Sequence, residues 1–340
     1  MSESKTPAQS RRPWLPVAVT TIAILLIIAT VVPLISTNWW LVRIFAYPQA
    51  QITTLLVIVA IVALLSLDLR KIWPKLLVAS LVAATIFQLQ YLLVYTPLAR
   101  TQVAAVQDCP ADRQVSIIVF NVLHSNSQYD ATIELVRQVR PDLFLAMETN
   151  FEWARALGQL RSQMPNIVAE PRGGPWGMML FSRLPLKNAR VSHLVRGYVP
   201  SIRAWVELGS GSGFAFHGVH PKPPMMHSSR TGDTELMMVG RKVRRSAQPS
   251  VVAGDLNDVP WSAITQRFQQ VSGMLDPRVG RAFLATFTTN NPILRWPLDH
   301  VFVTESFRLV SLERLPDVGS DHFPLLVKLC EVGPATRTTS

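Results

Sequence analysis

Asn121 in FNVLHSN, Glu148 in AMETN, Asp255 and Asn257 in GDLND, Asp299 in PLDHVFVT, and Asp321 with His322 in GSDHFPL are the residues of this chain whose types fit hydrolysis of a phosphate ester. That reaction needs hard oxygen ligands for a cation, an oriented water, and positive charge opposite the transition state. Glu148 follows an apolar run, where an unpaired carboxylate is costly unless solvated or bound to a cation. It is read as a metal ligand, with a rim salt bridge as the plain alternative. Asn121 gains weight as its partner, since an isolated Asn at a strand end often only bonds local backbone. Asp255 and Asn257 are two apart, so extended backbone points both to one side and Leu256 to the core. A carboxylate can then orient and deprotonate water while an amide donates to a phosphate oxygen. The alternative is an Asx turn after a strand, a purpose assigned to Asp258. Asp299 and His322 are expected to pair across neighbouring antiparallel strands, keeping the imidazole protonated and leaving Asp321 for the metal. His220, in HGVHPKPP, is the candidate general acid, and Lys222 can meet a phosphate. His217 reads as a core residue. His124, His193, His227 and His300 read as structural, with His300 expected nearest the pocket.

The elements that would place these residues are legible as β-branched apolar runs that stop at a polar side chain. VSIIVF (115–120) ends at Asn121, DLFLAM (142–147) at Glu148 and PSVVAG (249–254) at Asp255. LDHVFVT and DHFPLLVKL run the other way, with an acid at the start. In mixed α/β sheets, polar groups just past buried strand ends converge on one crevice. Asp130 is expected to N-cap a helix over TIELVRQVR, stopped before Pro141, which gives a strand, crossover helix and parallel strand over 115–147. MMLFS (178–182), AWVEL (204–208) and FAFHGV (214–219) are further strands, and Met237 to the RKVRR run is a helix with a solvated cationic face.

The 340 residues divide by composition. Residues 1–13 form a cationic N-terminal segment. Residues 14–97 are nearly all apolar and contain three stretches of membrane-spanning length, Trp14 to about Thr37, Gln51 to about Leu67 and Leu76 to about Pro97. Lys5, Arg11 and Arg12 flank the first, and Arg70, Lys71 and Lys75 lie between the second and third. Both groups belong in the cytoplasm, so three crossings put the N-terminus inside and everything after Thr101 outside, with a two-crossing or cleaved version as the plain alternative. Trp39, Trp40 and Tyr47 in the loop NWWLVRIFAYPQA suit a membrane interface. Residues 98–113 read as a polar linker, 114–332 as one domain and 333–340 as a disordered tail. From Arg113 onward, 25 Lys and Arg stand against 18 Asp and Glu, a field that favours polyanions or anionic headgroups. Cys109 and Cys330, the chain's two cysteines, could bridge the domain's beginning to its end or remain separate thiols.

The combined pattern resembles the endonuclease/exonuclease/phosphatase superfamily over roughly 114–330. The motifs run in that group's order: Asn121, Glu148, His220, Asp255 with Asn257, Thr286 and Phe287 before Asp299, and Ser320 to Pro324. The resemblance implies an α/β fold, a two-sheet sandwich flanked by helices, here preceded by three transmembrane helices, and attack of water on phosphorus dependent on Mg2+ or Mn2+. It assigns metal binding to Glu148 with Asn121 and Asp321, water activation to Asp255, water orientation to Asn257, and transition-state stabilisation to His322 paired with Asp299. His220 matches the deoxyribonuclease and sphingomyelinase branches. The expectation is a multi-pass, plasma-membrane (inner-membrane) phosphoesterase with an extracytoplasmic site. Its substrate is nucleic acid or a phospholipid headgroup, its partner the lipid bilayer, and no protein partner is inferred. The alternative is a silent binding module of the same fold for polyanions or lipids.

Overall fold

The computed structural model describes residues 14–35, 37–195, 199–224 and 229–333. The chain splits into two compact units, Met1–Ile35 with Pro48–Leu92, and Ser36–Tyr47 with Leu93–Ser340. Four helices precede the first strand: α1 (Trp14–Val31), α2 (Trp40–Arg43), α3 (Gln49–Ser66) and α4 (Ile72–Leu93). In the first unit, Trp14–Leu34, Gln49–Ser66 and Ile72–Leu93 are long and apolar enough to cross a membrane. They are apolar all round, with Leu25, Leu65 and Ile86 exposed, as expected of helices whose solvent is lipid. Ala23, Leu56, Ala63 and Leu81 are buried between them, and Gln88 Nε2 donates to Thr30 Oγ1 at 3.4 Å.

The second unit continues with β1 (Gln114–Asn121), α5 (Tyr129–Val139), β2 (Leu143–Met147), α6 (Phe151–Leu157), β3 (Asn166–Glu170), β4 (Met178–Ser182), β5 (Leu186–Ser192), β6 (Ser201–Glu207), β7 (Gly213–Gly218), α7 (Ser229–Ser246), β8 (Ser250–Asp255), α8 (Ala263–Ser272), β9 (Asp299–Val303), β10 (Phe307–Arg314) and β11 (Leu325–Glu331). These make two mixed sheets, ordered β10-β11-β1-β2-β4-β3 and β5-β6-β7-β8-β9. Each has a parallel pair inside it, β1 with β2 and β7 with β8, and antiparallel neighbours outside. Side-chain alternation follows the pleat. Ile117 and Val119 of β1 and Val251 and Ala253 of β8 fill the core between the sheets. Ile118 and Phe120 turn instead to α5 and α6, and Val252 turns to α7 and α8. The expected crossover over 115–147 is present, with Asn121 in register with Met147.

Several expectations need correction. Gln128, not Asp130, precedes the first turn of α5, and Asp130 lies within that turn. β9 and β11 belong to different sheets, so Asp299 and the residues before β11 are not presented by neighbouring strands. Residues 98–113 do not act as a bare linker: Val103 is fully buried, and Leu309 N donates to Ala104 O while Val106 N donates to Leu309 O, extending the β10 edge. Cys109 and Cys330 form a disulfide with Cα atoms 5.8 Å apart. His227 and the tail beyond Gly333 lie outside the described residues.

Candidate active site

The C-terminal ends of both parallel pairs meet at one rim. β1 delivers Asn121, β2 leads into Glu148, β7 leads into His220, and β8 ends at Asp255. Gly254 makes the approach possible. Its φ is +152°, and a Cβ there would lie 1.8 Å from the Val219 carbonyl oxygen, so any other residue would hold β7 and β8 apart. From the opposite sheet, the Met147 sulfur accepts the Asp255 N–H at 3.0 Å.

Asn121 Nδ2 donates to Glu148 Oε1 and to Asp255 Oδ2, both at 3.0 Å, bridging the two sheets. Asp255 Oδ2 also lies 3.6 Å from Nε2 of both His220 and His322. His322 Nδ1 donates to Asp299 Oδ2 at 2.7 Å. The expected Asp299–His322 pair therefore forms, but between sheets: Asp299 opens β9 and His322 lies in the loop before β11. Ser320 fixes that loop, its Oγ donating to Asn121 O and accepting from His322 N. Phe287 packs on the imidazole with centroids 4.9 Å apart.

The electrostatics follow from burial and pairing. Burial alone would lower the His322 pKa, but the Asp299 and Asp255 carboxylates outweigh it and raise it to about 10. Burial would raise Asp255, but His322, His220 and the Asn121 amide hold it well below the usual carboxylate range. His220 is raised on balance: burial opposes its charge, and Asp255 and Glu148 prevail. Asp321 is pushed up by burial and further by Glu148 and Asp255, with His322 opposing.

Asn257 departs from the extended geometry expected of it. Its φ is 52°, so its side chain does not follow the strand; Nδ2 donates to Pro221 O at 3.2 Å and its own N donates to Asp255 Oδ1 at 2.7 Å. Glu148 is likewise left-handed at φ 61°, a conformation that costs energy and needs its surroundings to hold it. His300 does not line the pocket. It is fully buried, accepting from Arg278 Nη2 at Nδ1 and donating from Nε2 to Asp258 O, and burial beside Arg278 keeps it neutral. His217 is a buried strand residue, as read, and His193 pairs with Glu170. Lys222 lies over the Trp176 ring, which tilts against His220. His124, expected to be structural, touches the site: its Nδ1 and backbone N both donate to Glu148 Oε2, at 2.8 and 3.2 Å. Its place three residues after Asn121, in the turn leaving β1, was the available signal.

Two sets of residues could hold a divalent ion. Glu148 and Asp255 both act with burial to raise the Asp321 pKa, a repulsion among carboxylates that a cation would relieve. Asp255, Asp299 and His322 also place ligand atoms within 4.8 Å of one another, and Asp299 Oδ1 is buried without a partner. The hydrogen bond within this second set and the readily protonated His322 make it suited to holding a proton as well. Asn121 presents nitrogen to the carboxylates, while its Oδ1 accepts from Leu123 N at 3.1 Å.

A two-sheet sandwich with an Asp–His pair facing a carboxylate cluster is an arrangement suited to phosphoester hydrolysis. The chain belongs to the Endonuclease/Exonuclease/phosphatase family, whose profile matches residues 118–322. Solved structures with the same fold include the human Nocturnin catalytic domain with bound sulfate, 17% identical, covering 66% of this chain and 96% of that one with a TM-score of 0.55. D. rerio TDP2 complexed with single-strand DNA product is 14% identical, covering 64% and 98%, with a TM-score of 0.55. A family member from Bacteroides thetaiotaomicron is 18% identical, covering 64% and 97%, with a TM-score of 0.53. No curated protein sequence matches the chain.

Proposed function

We propose that this chain is a membrane-anchored, extracytoplasmic phosphodiesterase that uses water and a bound Mg2+ or Mn2+. The observation that carries the reading is the clustering of Asn121, Glu148, His220, Asp299 and His322 around Asp255, which is buried and ionised between two imidazoles. Asp255 accepts a hydrogen bond from the attacking water and, as the new P–O bond forms, takes its proton and passes it to the His220 that has protonated the leaving oxygen. The low proton affinity of Asp255 makes it an orienting acceptor more than a strong base. Asn257 fixes Asp255 through its backbone N–H. His322, held protonated by Asp299, stabilises charge on the non-bridging oxygens, and His220 protonates the leaving oxygen as the P–O bond breaks. Glu148, with Asp321, would hold the cation, which when bound supplies Lewis-acid charge and a more acidic water; Asn121, expected as a third ligand, instead orients Glu148 through its amide N–H.

Two features support an anchored site outside the cytoplasm. Residues 114–332 are the phosphoesterase domain and 14–97 the anchor in this reading. The Cys109–Cys330 disulfide suits an oxidising compartment. Ser36–Tyr47 and the stretch from Leu93 onward form one compact unit, which an even number of crossings between them, those of α3 and α4, would allow. A phospholipid headgroup is favoured as substrate because the segment between Phe287 and Trp296, which supplies the His322 wall, carries the exposed apolar pair Ile293 and Leu294. A nucleic-acid substrate is the second reading, supported by the D. rerio relative's DNA product.

The full chain in detergent or nanodiscs, supplied with Mg2+, is assayed on phospholipid vesicles, single-stranded DNA and a generic aryl phosphodiester. Turnover should vanish with chelator and fall on the order of 10^3-fold or more in Asp255→Ala. Undiminished turnover in Asp255→Ala refutes the mechanism, and binding without turnover points to the silent module. A reporter fused at the C-terminus should read as outside the cytoplasm.

A further inference from the structure

The segment joining the first two membrane-spanning helices is not a free interfacial loop. Ser36–Tyr47 falls in the same compact unit as the sandwich, and its side chains reach the loop that follows β8. Arg43, its side chain only 14% exposed, donates to Asp233 from both terminal nitrogens and to Asp258 Oδ2 at 3.0 Å. Asp258 is buried, and Arg43 is its only cationic partner among the described residues. Ala46 O accepts from Trp261 Nε1. Tyr47, also buried, donates its hydroxyl to the Asn257 carbonyl at 2.6 Å.

These contacts bear on two catalytic groups. Asn257 sits in a left-handed conformation held by three ties: its N–H to Asp255, its amide to Pro221, and Tyr47 on its carbonyl. The first is a bond to Asp255 itself, so a shift at the Tyr47 end is transmitted directly to that carboxylate. In the other direction the Tyr47 ring meets Trp296 edge-on at 6.0 Å, Trp296 stacks on Phe287 at 6.1 Å, and Phe287 covers His322. A buried ion pair stripped of one partner leaves an uncompensated charge, here in the loop that carries Asn257.

We infer that residues 37–47 are an integral part of the active site, with Tyr47 and Arg43 as positioning residues for Asn257, Asp258 and, through two aromatic rings, His322. The inference deepens the phosphodiesterase reading and rests on it. Its consequence is that the site depends on a segment tied at both ends to membrane-spanning helices. A soluble fragment beginning after α4 lacks the Tyr47 and Arg43 ties.

The test uses the full chain in nanodiscs, comparing wild type, Tyr47→Phe, Arg43→Met and Arg43→Met with Asp258→Asn. Two readouts are taken: kcat and KM on the aryl phosphodiester, and hydrogen exchange of the amides at residues 256–259. Tyr47→Phe deletes one hydrogen bond, so kcat should fall ~5–10-fold with KM within about twofold, and those amides should exchange faster. Arg43→Met should lose more. The double variant, which removes the Arg43 and Asp258 charges and leaves only the more exposed Asp233 without its partner, should recover part of the loss. Should Arg43→Met fail to fold, Tyr47→Phe alone decides. Unchanged kcat in Tyr47→Phe overturns the positioning role, even if exchange quickens. If wild type turns over none of the phosphodiesters, the functional reading fails, and unchanged exchange in Tyr47→Phe then separately overturns the docking of this segment on the Asn257 loop.

Discussion

Gly254→Ala tests the geometry that brings His220 to Asp255. The added Cβ would lie 1.8 Å from the Val219 oxygen, whereas such contacts essentially never fall under 3.0 Å. The ends of β7 and β8 must separate by the difference between 3.0 and 1.8 Å, at least 1.2 Å. The Val219 N–H to Ala253 O bond, 3.0 Å long, would then stretch beyond hydrogen-bonding range. Val219 precedes His220 and Gly254 precedes Asp255, so the same displacement acts on their 3.6 Å contact. A misplacement of about 1 Å can cost on the order of 10^2-fold in rate, and overpacking of this kind typically costs about 1–3 kcal/mol of stability. Turnover of the aryl phosphodiester and the thermal midpoint are measured on the full chain. Gly158→Ala, at φ −53° with open space around the new Cβ, is the silent control. Wild-type turnover and an unshifted midpoint in Gly254→Ala would show that the strand ends are not held at this distance and that Gly254 does not set the His220 contact.

The remaining predictions are shorter. The His322 pKa is raised to about 10, so activity should be lost as pH climbs through that value; Asp299→Asn should move this alkaline limb down by about 2 pH units, and a limb that stays in place refutes the pairing. In stability, the pair's contribution should be complete below 6.5 and lost as pH rises through about 10, which melting at graded pH would measure. Reduction of the Cys109–Cys330 bridge, or Cys109→Ser with Cys330→Ser, releases a constraint across a separation of 221 residues; chain-entropy reasoning gives a loss of up to about 5 kcal/mol, read as a lower denaturation midpoint.

Much of the architecture was legible because the inner strands are continuous apolar runs with a polar stop. β1, β2 and β8 lie close to where VSIIVF, DLFLAM and PSVVAG placed them. The outer strands β3 and β5, NIVAE and LKNARVS, gave no such signal because as edge strands they are half-exposed and carry mixed side chains. The partnership of Asp299 and His322 was legible by residue type but its geometry was not, since no local pattern reveals that β9 and β11 lie in different sheets. The Asn257 geometry was not legible, since nothing in G-D-x-N distinguishes an extended continuation from the left-handed turn the chain makes after the strand. Arg43 and Tyr47 were hidden for a different reason. Among Trp39, Trp40 and Phe45 they look like interfacial side chains, and their partners lie about two hundred residues away.

The disulfide also governs what proteolysis can release. Clipping the backbone anywhere between Cys109 and Cys330 would leave both pieces covalently joined, so a nicked molecule would stay attached to its N-terminal helices and run as one band until a thiol is added. Only scission in the short stretch between α4 and Cys109 could shed the sandwich, and the shed product would leave Arg43 and Tyr47 behind.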